Sequence, residues 1–118
     1  MRVRMIMGAL ALIAVAKVGT AAAQAASFDP QAFYNENCRK CHGVRGTPPK
    51  TMKAKYPKIA TFDADFVAKH SQDSIVKILT KGKGEDMKSF ADKLKSPEEK
   101  AAVAKYVHEL AEKAHPGS

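Results

Sequence analysis

Apolar positions divide the chain into one unbroken run and a series of short helical stripes. From Met5 to Ala16 every residue is apolar or glycine, and Lys17 closes the run. At about 12 residues it falls short of the roughly 20 that a bilayer-spanning helix requires. Arg2 and Arg4 precede it, and the small residues Ala21, Ala22, Ala23 and Ala25 follow. That order of basic, apolar and small is the order of an export leader. Residues 1–25 are therefore read as a secretory signal peptide cut near Ala23 or Ala25, and residues 26–118 as a single domain. The remaining pattern is helical. Asp29 before Pro30 is a cap followed by proline at the first helical position. Phe62–Val67 predicts a short helix. Ser71 caps the next, in which Ile75, Ile78 and Leu79 form an i, i+3, i+4 stripe that Gly82 stops. Ser96-Pro97-Glu98-Glu99 is a capping box, and beyond it Val103, Tyr106, Val107 and Leu110 share one face. No stretch carries the alternation of a strand, so the expected fold is all-α, with three to four helices.

Composition sharpens this. The chain has 118 residues and a formal charge of +8. Loss of the leader removes Arg2, Arg4 and Lys17 but no acid, leaving 17 basic and 12 acidic residues. A domain of about 93 residues without tryptophan has a marginal core of its own, so a cofactor filling the interior would help it. No later segment predicts membrane insertion once the leader is gone. The basic residues are clustered: Arg39, Lys40, Arg45, Lys50, Lys53, Lys55 and Lys58 lie between Asn37 and Phe62 without an acid among them. Lys81, Lys83 and Lys88 surround a later loop at Met87. Either all these basic residues are a solvated surface, or together they form a collar that steers an acidic partner. No nucleic-acid recognition motif accompanies them.

The chemistry is concentrated in Cys38-Arg39-Lys40-Cys41-His42. This C-x-x-C-H string is the attachment signature of c-type haem. Two thiols two residues apart can add to the two vinyl groups of one porphyrin edge, and the adjacent imidazole is placed to ligate iron. A thioredoxin-like site would need a βαβ context. A zinc site would need more ligands than His70, His108 and His115 offer at their spacing, and a disulfide would leave His42 without a role. For the second axial ligand the domain offers two methionines, Met52 and Met87. Met52 follows His42 too closely to reach the opposite face with ease. Met87 lies 45 residues on, in a loop loosened by Gly82 and Gly84. It is the favoured ligand, with His70 as its rival.

On these residues the chain resembles the bacterial class I c-type cytochromes, small monohaem electron carriers, over roughly Asp29 to Ala114. The resemblance implies one covalent haem c on Cys38 and Cys41, with iron between His42 and Met87. It also implies a pocket that includes Pro49, Phe62, Ile75, Leu79 and Phe90. An aromatic near the first cysteine, Tyr34 or Phe33, would cross the terminal helix, and a carbonyl at Pro48 or Pro49 would orient His42. The implied role is single-electron transfer in the periplasm by a monomer, rather than catalysis; the alternatives are an electron-transfer subunit of a periplasmic dehydrogenase or reductase complex, and a ligand-binding haem protein. Two positions depart from the family. Lys88 stands where proline commonly follows the methionine, and Pro30 replaces a glycine near the first helix.

Overall fold

The computed structural model describes residues 27–114, so the expected signal peptide lies outside the described residues. Six helices follow one another: α1 (Pro30–Asn37), α2 (Arg39–His42), α3 (Lys50–Lys55), α4 (Ala64–Lys69), α5 (Gln72–Lys81) and α6 (Pro97–Ala114). Among the described residues there is no strand, only an isolated bridge between Lys83 and Met87. No helix among them is long and apolar enough to cross a membrane.

The helices start where side chains satisfy the free amides of a first turn. The Asp29 carboxylate accepts from the Gln31 and Ala32 amides at 2.9 and 3.2 Å. Asp63 accepts from Phe66 at 2.9 Å, and Ser71 from Ser74 at 3.1 Å. Ser96 and Glu99 close a reciprocal box: the Glu99 amide donates to Ser96 Oγ at 3.1 Å, and Glu99 Oε2 accepts from the Lys95 and Ser96 amides. α5 ends on Gly82 at φ 76°. Helix α3 has no such cap and lacks an apolar stripe; its sequence gives little sign of a helix.

α6 is the spine. It packs on α1, α4 and α5, burying Val103, Ala104, Val107, Leu110 and Ala111. α1 crosses it through Tyr34, which is fully buried, with its ring 5.3 Å from that of Tyr106. Of the two aromatics expected at this crossing, Tyr34 takes the place; Phe33 packs edge-on against Phe90 at 5.9 Å. Leu94, also fully buried, anchors the segment between the Met87 loop and α6.

Candidate functional site

The helices stand around a cavity of about 820 Å³ whose wall is mainly apolar. Cys38, Cys41, His42 and Met87 all line it. Residues far apart in sequence thus converge on one space.

His42 is held from two directions. Its Nδ1 donates to the Ala60 carbonyl at 3.3 Å, and its ring stacks on Phe62 with centroids 4.7 Å apart and planes 16° from parallel. Among the described residues Nε2 has no hydrogen-bond partner, yet it is not a buried, unsatisfied atom. It therefore opens onto the cavity. Burial pushes the His42 pKa down, opposed by the contact with Ala60. The imidazole is thus the neutral form that can ligate a metal. Phe62 is positioned in turn: its amide donates to the Gly46 carbonyl at 2.8 Å. A Cβ on Gly46 would come within 2.8 Å of the Phe62 Cβ.

The two cysteines are free thiols. Burial, with Cys41 nearby, pushes the Cys38 thiol up to about 11, while Lys93 opposes the shift. A C-x-x-C pair built for disulfide exchange has a thiol pKa displaced downward instead. No cluster of three or more His, Cys, Asp or Glu residues able to hold a metal exists among the described residues. The site offers two thiols, an imidazole and a thioether around an apolar cavity. That donor set fits a covalently attached haem and fits neither zinc nor a redox dithiol.

Met87 sits in a loop tied at both ends. Lys83 and Met87 exchange backbone hydrogen bonds, 2.8 Å from the Lys83 amide to the Met87 carbonyl and 3.4 Å in return. Ser89 Oγ donates to the Thr80 carbonyl at 2.6 Å, and the Phe90 amide to the Leu79 carbonyl at 2.8 Å. Gly82 lets the loop close, since a Cβ there would meet the Met87 carbonyl oxygen at 2.7 Å and the Ser89 nitrogen at 2.8 Å. Hydrogen bonds thus tie the loop on either side of Met87, where Lys88 stands in place of proline.

Phe62, Ile75, Leu79 and Phe90 line the cavity, as does the expected Met87. Pro49 does not. The chain turns into α3 there, and the Pro49 carbonyl accepts from the Met52 and Lys53 amides. The wall is built instead by the segment after α3, Tyr56 to Ala60. For the same reason the acceptor of His42 is Ala60 rather than Pro48 or Pro49. Met52, on α3, and His70, at the end of α4, are outside the wall. The His70 carbonyl accepts from His108 Nε2 at 2.8 Å, which ties α4 to α6. The Ala60 acceptor has no counterpart in the sequence reading because an acceptor carbonyl leaves no residue signature.

A helical domain folded around a C-x-x-C-H cavity is a small class I c-type cytochrome. The family model described as "Cytochrome C oxidase, cbb3-type, subunit III" matches residues 25–107, and the chain belongs to that family. Its fold is also that of a solved structure, "KustC0563 c-type cytochrome". The two are 32% identical with a TM-score of 0.62, over 70% of this chain and 98% of the other. A comparison with curated proteins finds no match. Membership in this family makes haem-based electron transfer the activity, and haem c with its iron the cofactor.

Proposed function

We propose that the protein is a periplasmic single-electron carrier, with one haem c attached through Cys38 and Cys41 and iron held between His42 and Met87. The observation that carries this is the convergence of both thiols, an open imidazole nitrogen and a thioether on one apolar cavity. When bound, the haem supplies a one-electron Fe(III)/Fe(II) couple. Everything else is the work of the chain. Ala60 and Phe62 keep the His42 ring in one orientation, Ile75, Leu79 and Phe90 line the cavity with apolar groups, and Met87 would supply the second ligand and so leave no place for a substrate. A thioether opposite an imidazole also raises the potential relative to two imidazoles. The periplasmic location rests on the leader pattern of residues 1–25. The basic residues between Asn37 and Phe62 suit a partner with an acidic docking face.

Spectroscopy of the holoprotein tests the ligand set. Met87→Ala should abolish the sulfur-to-iron charge-transfer band of the oxidised protein, lower its potential and open the site to carbon monoxide. Met52→Ala should do none of these. A band that survives Met87→Ala, together with a low-spin spectrum lost in His70→Ala, would overturn the assignment.

The family's description as an oxidase subunit favours a second reading, an electron-transfer subunit of an oxidase complex. Gel filtration of untreated extract separates the two: a free carrier elutes at the size of this chain alone, a subunit with its complex.

A further inference from the structure

We propose that the loop tip Val44–Arg45, together with Arg39 and Lys40, is the face on which an acidic redox protein docks, and that the Met87 loop is not. The inference rests on the carrier reading above and adds where the partner sits.

Val44 is 56% exposed, the one large hydrophobic residue left exposed among the described residues. Its exposure is imposed by the backbone. Gly43 and Gly46 flank the tip with φ of 82° and 83°, and both are buried against the body of the protein. The Gly43 carbonyl accepts from the Tyr34 hydroxyl at 2.7 Å and from the Gly46 amide at 3.3 Å. The Gly46 carbonyl accepts from Phe62. The ends of the loop are thus pinned, and Val44 and Arg45 are displayed between them. An apolar group held rigidly in water costs little to order on binding, and is well suited as the centre of an interface.

The charges along this stretch of chain have one sign. From Arg39 to Lys50 there are four basic residues and no acid, all of the four exposed. None is in an ion pair; among the described residues the sole one joins Lys105 to Glu109. The Met87 loop differs. Lys81, Lys83 and Lys88 share it with Glu85 and Asp86, so its field is largely cancelled. An exposed apolar residue within an acid-free basic segment fits a partner with an apolar depression inside an acidic rim. Val44 also lies two residues from His42 and three from Cys41, both of which line the cavity, so a partner docked there lies beside the redox centre.

The test follows oxidation of reduced holoprotein by an unfractionated extract of the cells that make it. Val44→Asp should slow the bimolecular rate about tenfold at low salt. Val44→Ser should slow it about threefold, and that loss should persist in high salt because no charge is involved. Lys81→Glu changes the net charge by more than either, on the Met87 side, and should change the rate less than about twofold. Haem spectrum and potential should be unchanged in all three. An effect of Lys81→Glu equal to or larger than that of Val44→Asp, or no effect of Val44→Asp, overturns the docking face while leaving the carrier intact. An extract that fails to oxidise the wild type overturns the carrier reading, and the docking face with it.

Discussion

The two sides of the cavity are built by different means. On the His42 side the constraints are buried. Tyr34 donates to Gly43, Gly46 receives the Phe62 amide, and Phe62 lies flat against the imidazole whose Nδ1 reaches Ala60. On the Met87 side the constraints are backbone and hydroxyl hydrogen bonds along an exposed loop, with Lys83, Gly84, Glu85 and Asp86 all in solvent. Hydrogen bonds that water can replace contribute less than packed rings and buried carbonyls. The His42 side should therefore stay intact through changes that release Met87, and its loss should take the fold with it.

Gly43→Ala should break the more robust side and have the largest effect. Its φ of 82° disfavours an L side chain, and a Cβ there would fall on the Thr47 carbonyl oxygen. The backbone must move, which disturbs the Tyr34 contact as well. A loss of about 3–5 kcal/mol is expected in denaturant unfolding of the oxidised holoprotein. Gly82→Ala is the matching change on the other side. Its Cβ would press on the Met87 carbonyl and the Ser89 nitrogen, but the exposed loop can yield. A smaller loss of about 1–3 kcal/mol is expected, with weakening of the charge-transfer band as its distinctive sign. If Gly82→Ala proves the more destabilising, the contrast between the sides is wrong.

The same contrast explains what could be read in advance. Caps and stripes are local, so Asp29, Ser71 and Ser96 mark helix starts without knowledge of the rest, and Cys38-Arg39-Lys40-Cys41-His42 announces its own chemistry. The place of Met87 on the cavity wall was legible from loop glycines and distance along the chain. Helix α3 was not, because its residues Lys50-Thr51-Met52-Lys53-Ala54-Lys55 carry neither a side-chain cap nor a stripe. Pro49 was misplaced because proline next to a haem motif invites a role that the path of the chain gives to Ala60. A backbone carbonyl that meets a histidine across 18 residues is determined by packing, not by residue type.

Tyr34→Phe probes the join between α1, α6 and the His42 side with a moderate effect. It removes the hydroxyl bond to Gly43, whose carbonyl keeps the weaker one from Gly46. About 1–1.5 kcal/mol should be lost. Burial holds the Tyr34 pKa well above that of a free tyrosine. An acid whose pKa is higher folded than unfolded stabilises the fold fully below its unfolded value, about 10. That stability is lost as pH rises from there through the folded value. Wild type should lose stability above about pH 10, and Tyr34→Phe should lose less over the same interval. Equal alkaline losses in the two proteins would remove Tyr34 from the account.

The smallest effect concerns Lys88, where the chain departs from its family. The Lys88 amide donates no hydrogen bond among the described residues, so proline there removes none of those shown. Lys88→Pro should stabilise the loop by about 0.4–1 kcal/mol, chiefly by restricting the unfolded chain. Ser89→Ala should cost a similar amount, about 0.5–1.5 kcal/mol, by deleting the bond to Thr80. If the hydroxyl substitutes for proline in holding Met87, the two changes are coupled, because each constrains the same few dihedrals next to Met87. Lys88→Pro should then rescue the charge-transfer band of Ser89→Ala and gain more stability in that background than in wild type. Strict additivity across the double-mutant cycle would mean that Ser89 braces α5 and leaves Met87 to the Lys83 bridge alone.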